Sequence, residues 1–240
     1  MTEKMQCSRC ETRVCTVDSS GNRLPGEAPQ WCPMKTKADV IKQAMAKQTE
    51  EDRKIAHAAA MVESEAYVRE PWGLKPYATR VLEIINFAKK MGYKKIGIAC
   101  CFASEWDAGV LSNIFINHGF EVLARLCKVY EVQNTKFLDI KEEETLVPGG
   151  YQSMCNPICQ VDVLADSGCE LIVTHGECTG HDALAGKFSQ VPFTVLGVKD
   201  RVLAHNPVVA LTNPWNEYYR KLTREKPLEV VYVNGHYRSY

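Results

Sequence analysis

Four cysteines crowd the first 32 residues in the pattern Cys7-x2-Cys10-x4-Cys15-x16-Cys32, and Cys32 is followed by Pro33. Two cysteines separated by two residues can aim both thiolates at one metal centre. Two more from a short segment complete four-sulfur coordination. That donor set suits zinc and an iron-sulfur cluster alike. A zinc ribbon normally brings a second C-x2-C knuckle, which this segment lacks, whereas a cysteine followed by proline also ends the bacterial ferredoxin run. A cluster is therefore the expectation at Cys7, Cys10, Cys15 and Cys32, with zinc as the alternative. Residues 1–35 also carry Gly21, Pro25, Gly26 and Pro29 with almost no aliphatic periodicity. A segment that cannot build a core needs a staple, and a metal is one.

The chain has 11 cysteines in 240 residues, and a second group of them depends on the fold for its assembly. Beyond Gly92 the sequence alternates strand and helix patterns: Lys95 to Cys100 as strand, Ala108 to His118 as helix, Phe120 to Cys127 as strand. Pro157 to Ser167 follows as helix, Leu171 to His175 as buried strand, His181 to Phe188 as helix and Phe193 to Val198 as strand. This alternation predicts an α/β fold built on a doubly wound, mainly parallel sheet of the Rossmann-like or flavodoxin-like kind. In such sheets ligands bind outside the carboxyl ends of the strands. Cys100 and Cys101 end the first strand, Cys127 ends the second, Cys155 precedes a helix start and Cys178 follows the strand ending at His175. Cys101, Cys127, Cys155 and Cys178 are the expected cluster ligands, with Cys100 the alternative to Cys101. Cys169 lies at the wrong end of its strand and Cys159 a turn into a helix, so both read as packing thiols.

The same edge gathers His181, Asp182, Lys199 and Arg201, the candidate catalytic groups. Cations and helix amino termini beside thiols lower their pKa, offset an anionic cluster or hold an anionic substrate. His205-Asn206-Pro207 either joins them or caps a turn.

Before the core domain, residues 36–92 read as a helical segment: two helices or one interrupted helix from Thr36 to Tyr67, a break at Trp72, Gly73 and Pro76, and a helix ending at Gly92. The expected organisation is thus a cysteine-rich metal-binding segment (1–35), a helical linker (36–92) and an α/β core (93–240). Glu217 to Thr223 is the expected last helix and Leu228 to Val233 the last strand. Asn134 to Tyr151, with the acidic run Glu142 to Glu144, is the one long loop.

Composition narrows the function. Twenty-nine basic residues balance 29 acidic ones, which argues against nucleic acid. No apolar run reaches membrane-helix length and the amino terminus lacks a signal-peptide stretch, so a cytoplasmic location is expected, where disulfides are disfavoured and metal or catalysis explains cysteine. Neither a dinucleotide fingerprint nor a P-loop is present.

Three stretches carry a family resemblance: Met154-Cys155-Asn156-Pro157-Ile158, Gly176-Glu177-Cys178-Thr179-Gly180-His181-Asp182, and Val198 through Pro207. With the cysteine-rich start and the Cys127-Lys128 pair, they resemble an uncharacterised prokaryotic cysteine-rich family catalogued as domain of unknown function eighteen forty-seven. The resemblance implies a metal-binding protein, found mostly in anaerobic bacteria and archaea, and implies no reaction. Paired Cys100-Cys101 departs from the single cysteine expected there.

The reading that joins these features is an iron-sulfur enzyme. One or two clusters are expected, of the 4Fe-4S type. In the core, three thiolates would leave an open position for a small molecule, in desulfidase, reductase or dehydratase chemistry. The amino-terminal site would pass electrons. The alternatives are a non-catalytic cluster or zinc carrier, a store, or a redox sensor. The implied partners are a small-molecule or sulfur-containing substrate and an electron donor, without nucleic acid or membrane. A homo-oligomer is compatible with the sequence.

Overall fold

The computed structural model describes residues 7–18, 20–212, 219, 222, 230–233 and 236–239. The chain divides into two compact units, Met1–Met61 and Val62–Tyr240.

In chain order the elements are α1 (Pro33–Thr36), α2 (Ala38–Ala46), α3 (Glu50–Glu65), β1 (Tyr67–Glu70), β2 (Gly73–Pro76), α4 (Arg80–Met91), β3 (Lys95–Cys100), α5 (Glu105–Asn117), β4 (Glu121–Leu126), α6 (Asn134–Phe137), α7 (Pro157–Asp166), β5 (Leu171–Glu177), α8 (His181–Phe188), β6 (Phe193–Val198), α9 (Val209–Thr212), β7 (Val230–Val233) and β8 (His236–Ser239). Thr36 to Tyr67 thus holds two helices, α2 and α3, after the short α1 that ends at Thr36. Thr49 and Asp52 start α3 reciprocally, the Thr49 amide donating to Asp52 Oδ2 and the Asp52 amide to Thr49 Oγ1.

Four strands form one parallel sheet in the order β4-β3-β5-β6. This is the α/β architecture that the alternation of patterns predicts. β3 and β5 are central and buried on both faces, so they read as unbroken apolar runs. On one face Ile84, Ile85 and Ala88 of α4 and Ala108, Leu111 and Phe115 of α5 pack on Ile96, Ile98, Cys100, Leu171 and Val173. On the other, Val161 and Leu164 of α7 and Ala185 of α8 pack on Ala99 and Ile172. Arg80 ties the start of α4 to β6, donating to Thr194 Oγ1 at 2.8 Å.

Two features depart from the expectation. The break at Trp72, Gly73 and Pro76 is the turn and second strand of an antiparallel hairpin, β1 with β2. Four-residue strands are too short for a periodic signal, and proline at a strand end mimics a loop. The last strand does not extend the parallel sheet: β7 pairs antiparallel with β8 in a separate two-stranded sheet. Most of the expected helix Glu217 to Thr223 and the first residues of the Leu228 to Val233 strand lie outside the described residues. Among the described residues no helix is long and apolar enough to cross a membrane.

Candidate metal centre

β3 and β5 are neighbours, yet the chain goes from β3 outward to β4 and from β5 outward to β6. The crevice beyond their carboxyl ends is the switch point of the sheet, where open α/β sheets place ligands. Backbone hydrogen bonds bring three thiols there. The Cys101 amide donates to His175 O at 3.1 Å and the Cys127 amide to Cys100 O at 2.9 Å. Cys155 arrives from a distant part of the chain. The long loop closes on itself through the Met154 amide donating to Val132 O and the Asn156 amide to Cys127 O, both at 2.7 Å. Asn156 then caps α7, its Oδ1 accepting from the Cys159 amide at 3.1 Å, with Pro157 at the first helical position.

The thiols of Cys101 and Cys155 both interact with that of Cys127. A tight turn, Phe102–Ser104, aims amides at them: Phe102 N–H donates to Cys127 Sγ at 3.3 Å and Ala103 N–H to Cys101. Cys101 is pulled down to about 5, first by the Cys127 thiol, then by the Ala103 amide and Lys199. Cys155 is pulled down to about 4 by Cys127 and His181, helped by the charge of Lys128. Cys127 is pushed strongly upward, because its proton is shared between two thiolates and because it is buried. His181 is raised by Cys155. The result is a thiolate–thiol–thiolate row with Lys199 at one end and His181 and Lys128 at the other.

Behind the row lies a carboxyl that the sequence did not flag. Glu177 is 1% exposed, and burial, with the Cys101 thiolate, pushes it up to about 7. Gln160 Nε2 donates to Cys100 O at 2.9 Å and to Arg125 O at 2.6 Å. Both its N–H groups are therefore spent, and only Oε1 remains for the neighbouring Glu177. Gln160 Oε1 and both Glu177 oxygens are buried without a hydrogen-bond partner among the described residues, so burial is what favours the proton on Glu177. Replacing Gln160 by Leu strands the two carbonyls of Cys100 and Arg125. A loss of about 2–4 kcal/mol in denaturant unfolding is expected, and an unchanged midpoint would refute this arrangement.

Other candidates lie apart from the row. Cys100 points into the α4/α5 core, where burial pushes its thiol up to about 12. Cys178 Sγ accepts from Arg201 Nη2 at 3.2 Å and is not joined to the three thiols. Asp182 Oδ1 accepts from the Gly180 and Ala183 amides at 2.9 and 2.8 Å, so it secures the turn into α8. Cys169 is buried against Leu164 and Gly97. Half-buried Cys159 has its amide engaged by the Asn156 cap.

In the first unit, Cys7, Cys10, Cys15 and Cys32 line one cavity of about 320 Å³ with Arg13, Trp31 and Met34. Among the described residues no three His, Cys, Asp or Glu side chains already close on a single ion position.

The sequence reading missed Glu177 and Gln160 as well as the turn amides. A charged residue continuing a buried strand past His175 was the available signal for Glu177. Gln160 and the amides carry no sequence signal, since any helix face or turn supplies them.

The model of one family, described as "Protein of unknown function (DUF1847)", matches residues 32–196. That span holds Cys32, Cys101, Cys127, Cys155, Cys178 and His181, and ends before Lys199 and Arg201. The chain is also 35% identical over 217 residues to the "Uncharacterized protein MJ0455" of Methanocaldococcus jannaschii, covering 90% of this chain and 97% of that protein. With both the matched span and the shared length this large, the chain belongs to the DUF1847 family of proteins of unknown function.

Proposed function

We propose that this protein is an iron-sulfur protein of the enzyme type, in which Cys101, Cys127 and Cys155 hold a cluster at the sheet edge and Cys7, Cys10, Cys15 and Cys32 hold a second metal centre. One observation carries the reading: three thiols from three separate elements meet at the switch point, between Lys199 and His181 and under two backbone N–H groups. A soft, all-sulfur donor set suits iron-sulfur clusters or zinc rather than hard cations. The buried row also fits such a group electrostatically, since a bound metal would offset the charge that otherwise keeps Cys127 protonated.

A cluster held by three thiolates supplies a Lewis-acidic iron with an exchangeable position. The chain's own residues supply the rest. Lys199 places a cation beside the row, with Arg201 at the neighbouring Cys178, and these suit an anionic or sulfur-containing small molecule. His181 Nδ1 is buried without a protein partner among the described residues. With Glu177, which burial pushes up to about 7, it gives the site two groups able to hold or move a proton.

Anaerobic purification with iron, sulfide and zinc analysis tests the assignment, zinc without iron or sulfide being the result against it. Deleting residues 1–35 is expected to remove one centre and leave the α/β domain folded; full metal content in the truncated chain would exclude the amino-terminal site. Cys100→Ala is expected to keep the core centre, whereas Cys101→Ala loses it. Equal metal content in both variants would count against the row. Lys199→Ala should weaken the spectral response to an added thiol or small anion while sparing metal content. A spectrum indifferent to every added ligand would favour the carrier, store or sensor.

A further inference from the structure

On the α4/α5 side of the sheet, away from Gln160 and His181 on α7 and α8, the end of β5 presents a second polar group. His175 Nε2 donates to Asp107 Oδ2 at 3.1 Å. The imidazole lies over Gly197 of β6, whose missing side chain makes the room: a Cβ there would stand 2.9 Å from His175 Nδ1. His205 sits edge-on to His175 at 6.1 Å between ring centroids. It is held there by a backbone in which both Ala204 (φ 49°) and His205 (φ 63°) are left-handed. Two consecutive non-glycine residues in that region are costly, and such strain gathers at functional sites.

These groups form the polar end of a cleft of about 330 Å³, a volume within the range of small-molecule sites. Its walls are apolar: Val81 from α4, Val110, Leu111 and Ile114 from α5, and Leu196 from β6. Trp106 stands at the rim, 77% exposed. The lining contains one carboxylate and no Lys or Arg. Asp107 is half exposed, and its Oδ1 has no partner among the described residues.

We infer that this cleft is a binding site for a small organic amine, whose ammonium meets Asp107 and the Trp106 indole while its apolar body lies along α5. An apolar trough ending in one carboxylate with an open Oδ1 beside an exposed indole matches an ammonium on a hydrocarbon body; it offers an anion no Lys or Arg. The site is separate from the thiol row and does not depend on its metal.

Calorimetric titration of the full chain with benzylamine, benzyl alcohol and benzoate tests the assignment. Benzylamine is expected to bind saturably and at least about tenfold more tightly than benzyl alcohol, the margin of a charge-assisted contact, and benzoate not at all. Asp107→Asn should erase the preference for the amine. Val110→Arg, at a half-exposed position one helical turn from Asp107, should block benzylamine by bringing a competing cation to the wall and to the carboxylate. The proposal is overturned if benzylamine fails to saturate, if the alcohol or benzoate binds as tightly, or if either variant binds the amine like the parent chain.

Discussion

Replacing Cys127 by alanine is expected to empty the core centre completely while leaving the fold in place. Cys127 is the middle member of the row, the one thiol in contact with both Cys101 and Cys155, and it also receives the Phe102 amide. Without it, the other two thiols have no shared partner. The cost to folding is modest, because a thiol-to-methyl change removes one atom and leaves the Cys127 amide bonded to Cys100 O. A loss of about 1–2 kcal/mol is expected for a buried truncation of that size. Iron and sulfide per chain should fall by the whole core complement, with the amino-terminal centre retained. Retention of the full iron and sulfide content would remove Cys127 from the ligand set, and the row with it.

Gly176→Ala is expected to damage both the fold and the site. Gly176 has φ +67°, and a Cβ there would stand 2.3 Å from Ser104 Oγ and 3.0 Å from Ser104 Cβ. The left-handed backbone alone costs an L-residue roughly 1–2 kcal/mol. Relieving the overlap means moving the Phe102–Ser104 turn, whose amides hold Cys101 and Cys127. A total destabilisation of about 2–4 kcal/mol is expected, with loss of the core metal. Gly109→Ala is the control, because its Cβ would meet nothing within 4 Å. In mid-helix that exchange should be neutral or stabilise by up to about 1 kcal/mol. Matching unfolding midpoints and metal contents for the two variants would show that the close approach at Gly176 does not matter.

Local pattern alone determined a good deal of this protein. The buried strands at Lys95–Cys100 and Leu171–His175 and the partly buried Phe193–Val198 announce themselves as apolar runs between helices. Asn156-Pro157 and Gly92 mark a helix start and a helix stop, because capping is a contact between near neighbours in sequence. Parallel order follows from the alternation, and with it the edge on which to look for chemistry. Cysteine spacing in the first 32 residues likewise needs no fold to be read.

Only the tertiary structure decided which side chains meet. Cys100 and Cys101 are adjacent, so the turn out of β3 sends one thiol into the α4/α5 core and the other to Cys127; two neighbouring letters cannot say which. Cys155 reaches Cys127 because the intervening loop closes through the Val132 and Cys127 carbonyls, which are backbone contacts without a residue signature. Asp182 looked like a site acid and is taken by the Gly180 and Ala183 amides. Glu177 is pushed up to about 7 by burial, and burial belongs to the assembled fold. The His175–Asp107 pair joins residues far apart in sequence across a sheet face, an adjacency created when α5 packs against β5.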